Sequence, residues 1–485
     1  MPIVMCKYFY VIIISQKILE MENMKRLIII TLSILALLFV YNSCDAKKNE
    51  KEINTFEYMN MPFWQKCNDE ILVNHLEELY KNNFDLKIAA YQIEESNRIV
   101  KIALSQELPH IAFDGYVGRT LTSSDEHFGD LVIPDYSQYR YLLPLTLSYE
   151  VDLWGKNRLR TKSMQKELEI RKQEQKSLYI SLSSNFAINY YNLIKTDEML
   201  RLQEEEIKLQ EKICDLMQKR FDFGLSDKNE LLKEQKALTV LIEGKNKLLE
   251  RKDVLINQLN VFLGDRSFRD LERSSFDSVK TNLPIPESID FSITENRPDV
   301  VASRFRLEKA GYDVKISKRN ILPSFVITGN LGYNAYSLGN LFGSNTGLAN
   351  IGVIPFLDIF DGGRKINAMK LMKSRYNKHF EEYNKRILTS AQEINDALYS
   401  AKIAKKNSAN VSDRLKLQEN DSYLVSRKEE IGTANIIDSL VKQEELLLVR
   451  QQNVSSKVNE IIASINLYKA TGGVDVFTTS NNNDL

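Results

Sequence analysis

Proline and glycine are scarce in this chain, and the places where they are missing carry the first information. Ten prolines and 19 glycines serve 485 residues, and no proline falls between Pro144 and Pro284 or after Pro355. Proline breaks helix interiors, so gaps of that length permit very long helices. Four cysteines (Cys6, Cys44, Cys67, Cys214) and four histidines (His75, His110, His127, His379) lie far apart, without a CxxC or HExxH. That argues against a zinc site and a disulfide framework. The 11 methionines form no cluster with the histidines, so nothing marks a copper or silver route. Net charge is also absent, with 65 Lys+Arg against 65 Asp+Glu. No nucleic-acid partner is expected from such a balance. GxxxxGK(S/T), GxGxxG and GxSxG are all missing, so no cofactor is expected and an enzyme is disfavoured.

What is present begins with a targeting segment. Met24-Lys25-Arg26 is a short basic stretch, Leu27–Val40 is an apolar run, and Tyr41-Asn42-Ser43-Cys44 follows. This is the layout of a secretory signal peptide, too short for a comfortable membrane span. Residues 1–23 are expected to precede the true start at Met24, and residues 24–43 to be the signal. Ser43-Cys44 looks like a lipoprotein junction, which makes Cys44 the expected lipidation site and 44–71 a lipid-anchored segment. The alternative is an ordinary signal peptide that happens to contain Cys44.

The remainder is an internal duplication. Residues 82–118 align without gaps on 296–332, with ten identities that include Asp85/Asp299, Pro109/Pro323 and Gly118/Gly332. Further on the offset becomes 208, and Gly155, Gly224 and Gly264 map onto Gly363, Gly432 and Gly472. Repeat 1 is placed at 72–270 and repeat 2 at 290–474, with a linker at 271–289 and a tail at 475–485.

Each repeat reads as helix, strand pair, very long helix, shorter helix. Residues 156–223 and 364–431 contain neither glycine nor proline. As continuous helices each would reach about 100 Å. Shorter helices are expected at 226–263 and 433–470. The first long helix carries a heptad at Phe186, Leu193, Leu200, Ile207, Cys214 and Phe221, and a second seam at Ile188, Leu202, Leu209 and Leu216. Two seams suggest a neighbour on each side, as in a closed ring of helices; one wide stripe in an ordinary bundle is the alternative. The next helix repeats the device with Leu241, Leu248, Leu255 and Phe262, and Ile394, Leu398, Val411 and Leu415 are core candidates of the second long helix. Before each long helix the period changes to two. From Tyr141 to Leu153 every odd position is apolar, and Thr146, Ser148, Glu150 and Asp152 occupy the even side. Strands are therefore expected at 111–119, 141–153, 324–333 and 350–359, with Leu145, Leu147, Val151, Val353 and Leu357 facing lipid. Ser148, Glu150, Asp152 and Asp358 would face a water-filled lumen. Polar segments at 120–138 and 334–349 read as exposed hairpin loops. A soluble hairpin packed on one side would show the same alternation.

Ser148-Tyr149-Glu150-Val151-Asp152-Leu153-Trp154-Gly155 resembles the signature of TolC-like outer-membrane factors, particularly their lipoprotein branch. Arg297-Pro298-Asp299-Val300, Leu322-Pro323-Ser324, Phe360-Asp361-Gly362-Gly363-Arg364 and Leu467-Tyr468-Lys469-Ala470-Thr471-Gly472-Gly473 fit as well. The resemblance spans about 72 to 474. It implies a mostly α fold with a β-barrel portion. A duplicated long-helix α-barrel would be joined to four strands per chain in a trimeric, twelve-stranded outer-membrane β-barrel. Four strands cannot close a barrel alone, because open edges in lipid leave backbone groups unpaired.

The function this implies is a passive outer-membrane exit duct for small molecules. Its partners would be two further copies of itself, a periplasmic adaptor, an inner-membrane pump (of the RND type) and outer-membrane lipid. A lipid-anchored structural coiled coil without a pore is the alternative, but such a scaffold has no use for alternating strands. Glu150 and Asp152 as a catalytic pair lack any nucleophile–base motif. Phe223-Gly224-Leu225 and Ile431-Gly432-Thr433 stand where each long helix must reverse, and the resemblance makes them adaptor-docking tips. Asp438 and Glu230, each six residues after a tip glycine, are candidates for a pore constriction.

Overall fold

The computed structural model describes residues 61–122, 127–128, 131–132, 136–279 and 283–477. Cys44 and the segment around it lie outside these residues. Among the described residues no helix is long and apolar enough to cross a membrane.

Two short helices, α1 (Met61–Lys66) and α2 (Glu70–Asn82), lead into α3 (Phe84–Ser105). Strands β1 (His110–Phe113), β2 (Tyr116–Thr122), β3 (His127–Phe128), β4 (Leu131–Val132) and β5 (Tyr136–Glu150) follow. Then come α4 (Lys156–Asp222) and α5 (Lys228–Leu263). The second half runs α6 (Ser292–Asn296), α7 (Pro298–Arg319), β6 (Ser324–Ala335), β7 (Gly347–Phe356), α8 (Arg364–Glu430) and α9 (Ile436–Ala470). The two halves keep the same dimensions. Helices α3 and α7 are 22 residues each and begin 214 apart, while α4 and α8 are 67 each and begin 208 apart.

The helices pack as a row. Near the sheet the order is α3–α4–α7–α8; toward the far end it is α5–α4–α9–α8. The main core lies where the row meets α1 and α2. Phe186, Tyr190 and Leu193 of α4 are buried there, and the equivalent positions of α8 are Ile394, Leu398 and Ala401, also buried. Phe63 of α1 stacks on Tyr468 with centroids 3.9 Å apart, and Trp64 and Phe477 close the same aromatic cluster. Cys67 beside it is buried; burial first, and then the charges of Asp69 and Asp475, pushes its thiol up to about 12. A thiol so held is inert at neutral pH.

Three expectations change in detail. Of residues 44–71, the described part includes α1, which belongs to the core. The 271–289 linker is strapped down: Phe276, Leu283, Ile285 and Ile289 pack on the core, and Ser274 donates to Asp69 at 2.9 Å. The α4 heptad does not stay in one seam. Phe186, Leu193 and Leu200 are buried, Ile207 and Cys214 are half-buried, and Phe221 is exposed, while Leu202 and Leu209 of the expected second seam, with Ile213, take over the core. A straight helix drifts about 20° per heptad, which moves a strict seven-residue repeat off its face.

Candidate functional site

The sheet is built in the order β1/β2–β5–β6–β7, all antiparallel. β1 and β2 are one strand interrupted at Asp114-Gly115, with a single register on either side. The cause is Pro144, which stands opposite Asp114 and has no N–H to give the ladder. On its other side Pro144 faces Gly332, where an added Cβ would lie 2.1 Å from the Leu143 carbonyl oxygen. Only glycine fits there.

The register sorts the side chains into two faces. Ile111, Leu147, Gly329 and Ile351 form one cross-strand row, and Phe113, Leu145, Leu331 and Ala349 the next. The opposite face carries His110, Ser148, Thr328 and Gly352, then Ala112, Thr146, Asn330 and Asn350. Polar groups bond one another along that second face: Thr146 donates to Asp114 at 2.7 Å and Asn330 to Asn350 at 3.1 Å. Leu145, Leu147 and Val353 thus share the apolar side, and Ser148 and Glu150 the polar side. Both edges of the sheet, β1/β2 and β7, are unpaired among the described residues.

The strand bounds differ from the expected ones. β5 starts at Tyr136 and stops at Glu150, and β7 stops at Phe356. Val151, Asp152, Leu357 and Asp358 are therefore outside the strands, and Asp152 and Asp358 lie past the strand ends. They build the junction with the long helices. Asp152 accepts from the backbone N–H groups of Asn157 and Arg158, both at 3.1 Å. Burial opposes its charge, but those bonds prevail and hold its carboxyl below the usual carboxylate range. Asp358 pairs with Lys365 at 2.9 Å, as Glu150 pairs with Lys156 at 2.5 Å. Trp154 donates to the Pro323 carbonyl at 2.6 Å and ties the first junction to the second repeat. The expected loop at 120–138 also shrinks. β2 and β5 reach into it to Thr122 and Tyr136, and β3 pairs with β4 inside it.

A second anchoring point was visible in the sequence only as a motif. Arg297 is buried and donates to the Ala470 carbonyl at 2.8 Å, to Asp299 at 2.8 Å and to Glu393 at 2.6 Å. Arg386 also bonds Asp299. These contacts lock the start of α7 to α8 and to the end of α9.

At the far ends each long helix closes with the same hydrogen-bond pair. Leu225 N–H donates to the Arg220 carbonyl at 2.7 Å and Gly224 N–H to that of Phe221 at 2.9 Å. Thr433 and Gly432 repeat this onto Lys428 and Glu429 at 2.8 and 2.9 Å. The motif needs a left-handed residue, and Gly224 (φ +69°) and Gly432 (φ +76°) supply it. Asp227 and Asn435 then cap α5 and α9. The turns leave Phe223, Leu225 and Ile431 bare, with Phe223 80% and Leu225 69% exposed. Glu230 and Asp438 both fall at the third position of the returning helix. Glu230 is engaged by the Ser226 hydroxyl, whereas Asp438 makes no side-chain bond among the described residues. Among the described residues no group of His, Cys, Asp and Glu is placed to hold a metal ion.

The model of the family described as "Outer membrane efflux protein" matches residues 75–257 and 292–473, one stretch per repeat. A probable efflux pump outer membrane protein of Pseudomonas putida, TtgC, is 24% identical over 413 residues, covering 84% of each chain. A probable outer membrane lipoprotein of Salmonella typhimurium, SilC, is 22% identical over 82% of this chain and 84% of its own. Among solved structures, the Campylobacter jejuni CmeC outer membrane channel superposes with a TM-score of 0.75 at 23% identity, covering 84% of this chain and 87% of that one.

Proposed function

The chain belongs to the outer membrane efflux protein family, and from that premise we propose that three copies close into one duct that carries small molecules out of the cell. The observation that carries this reading is the agreement between the two kinds of open edge. Among the described residues the unpaired edges of the sheet are β1/β2 and β7. In the helix row the outermost members are α3 and α5 on one side and α8 on the other. β1/β2, α3 and α5 belong to the first repeat, and β7 and α8 to the second. One edge of a copy therefore meets the other edge of the next, a head-to-tail contact that forms a ring when the rotation closes. Three is the number that the resemblance to TolC-like channels implies.

The outermost helices carry apolar residues at matching spacing. Val240, Val254 and Val261 of α5 and Ile403, Leu417 and Leu424 of α8 are all exposed in the single chain. Both sets keep the seven-residue phase of a coiled-coil seam. With the ring closed, the apolar sheet face meets lipid and the polar face, with Ser148 and Glu150, meets water. The helices continue as a periplasmic tunnel to the tips. There Phe223, Leu225 and Ile431 would dock a periplasmic adaptor, and through it an inner-membrane pump of the RND type. Conduction would be passive, with energy and substrate choice supplied by the pump. Cys44 would carry the lipid. A poreless coiled-coil scaffold would not need a sheet with one apolar and one polar face.

The test is purification of the full chain in detergent. Native mass spectrometry should give three copies, and planar bilayers should show discrete conductance. A water-soluble monomer without conductance would end the proposal.

A further inference from the structure

Most cations nearest the sheet in the first repeat are matched. Lys156 pairs with Glu150, Arg158 with Asp152 at 3.3 Å and Lys166 with Glu308 at 2.5 Å, and Arg160 donates to Gln106 at 2.6 Å. In the second repeat Arg364 and Lys365 pair with Asp358 and Lys378 pairs with Glu382, but other cations are left over. Residues 364–380 of α8 contain six Lys and Arg and no Asp or Glu.

Two of these cations, Lys370 and Lys373, meet two lysines of α7. A groove of about 880 Å³ between α7 and α8 is bordered by Lys315, Lys318, Lys370 and Lys373. None of the four makes an ion pair among the described residues, and Lys315 only overhangs the Tyr312 ring at 5.4 Å. The single acid on the lining, Glu308, is taken by Lys166. Tyr312 and Tyr376 flank the cations, and Leu307, Val314 and Met369 give the groove an apolar floor. Its height is set by the chain. Lys315 and Lys318 sit in the last turn and a half of α7, just before β6. Lys370 and Lys373 stand about 9 and 14 Å along α8 from Arg364, just after β7. A membrane-embedded sheet puts this level at the periplasmic headgroup layer.

We propose that the α7–α8 groove binds the phosphate headgroup of an anionic phospholipid in the periplasmic leaflet of the outer membrane. The proposal rests on the outer-membrane reading above, which sets the depth of the sheet. Four lysines meet the phosphate charge, the tyrosines suit the interface where amphipathic rings collect, and the apolar floor receives the first carbons of an acyl chain. Bound lipid would fasten α7 to α8 directly beneath the strands.

Native mass spectrometry of the full-length protein in mild detergent tests this. Cardiolipin, phosphatidylglycerol, phosphatidylethanolamine and inorganic phosphate are the probes. The two anionic lipids should be retained at least about tenfold better than phosphatidylethanolamine, and Lys370→Gln with Lys373→Gln should lower that retention about tenfold. Adding Lys315→Gln and Lys318→Gln should abolish the selectivity; if the quadruple variant fails to fold, the double variant decides. Unchanged retention in the double variant overturns the proposal. So does displacement of the lipid by millimolar inorganic phosphate, which would identify a free-anion site. A photo-crosslinker at position 376 that captures a second copy of the chain instead of lipid overturns it too. Lipid retention is read per chain, so a wild-type spectrum without the oligomer counts against the duct reading and not against the groove.

Discussion

Helices α4 and α8 are copies of one another, equal in length and alike in their caps, yet they live differently. In the single chain α4 buries 23 of its 67 residues and α8 only six of its 67. The aromatic pair Phe186 and Tyr190 of α4 is answered by the smaller Ile394 and Leu398 of α8. The difference is one of place in the row. α4 has neighbours on both sides, whereas α8 is the last helix and keeps apolar residues such as Leu417 and Tyr423 in solvent. Duplication produced two similar elements. The first became the hub on which the chain folds, and the second kept an exposed apolar surface.

The largest expected effect separates hub from surface. Phe186→Ala removes a fully buried ring and should cost about 3–5 kcal/mol. Refolding yield and protease resistance should both fall. Leu417→Glu on exposed α8 should leave the chain's own fold intact and lower only the oligomer fraction. If Leu417→Glu leaves a fully stable oligomer, the comparison between the helices is broken.

Next in size is the lock that joins the edge helix to the rest. Arg297→Met strips Asp299 and Glu393 of a buried partner, a loss of about 3 kcal/mol. The α7–α8 contact should open first, read by hydrogen exchange at residues 298–303. Burial alone would raise the Asp299 carboxyl, but the bonds from Arg297 and Arg386 outweigh it and lower its pKa. A lowered folded value stabilises above the unfolded value, near 3.9. That contribution is complete at neutral pH and is lost as pH falls below about 4 through the folded value. Asp299→Asn should flatten this acid-side dependence. An unchanged acid profile would remove Asp299 from the lock.

Why these features differ in legibility is physical. Helix length and tip position could be read because missing glycine and proline are local facts, and Gly224 and Gly432 are demanded by backbone geometry alone. The alternation of β5 was legible for the same reason. Its end was not. The period of two continues through Val151 and Asp152, but the Asp152 carboxylate turns back to cap α4, and only the fold brings those N–H groups within reach. The start at Tyr136 was hidden because Ser137, Gln138 and Arg140 interrupt the apolar signal. Helix α1 is six residues long, too short for a periodic pattern. The strapping of the linker and the Arg297 network depend on partners about a hundred or more residues away, which no window along the chain contains.

A smaller effect tests the two faces of the sheet. Leu147→Arg on the apolar face should cost about 2–4 kcal/mol at mid-membrane depth, whereas Ser148→Arg one residue on should mainly change conductance. Equal losses of folded protein from detergent extracts would mean that the faces are not lipid and water. At the tips, stability should barely respond. Leu225→Glu alters an exposed side chain, so the oligomer should persist while export and crosslinking to the adaptor fail. Unchanged export and crosslinking would remove the tip from docking.

The smallest structural effect is the most discriminating for the duplication, because it compares two carboxylates at one height. Glu230 and Asp438 each occupy the third position of a returning helix, where the dipole favours an acid. That explanation suffices for Glu230, whose carboxylate is held by Ser226 and whose backbone N–H is capped by Asp227 at 2.9 Å. Asp438 has the position without such a bond among the described residues. It belongs to α9, and Asn435 does the capping with its own side chain at 3.2 Å. An exposed carboxylate that helps neither cap nor core is the candidate for the pore constriction. Copies gathered round one axis would repel one another and favour bound cations. Glu230→Ala should therefore loosen the first turn of α5 without changing single-channel conductance. Asp438→Ala should leave the helix intact, raise conductance and weaken block by divalent cations. Identical conductance and block in wild type and Asp438→Ala would place Asp438 on a solvated outer face and make the two acids equivalent after all.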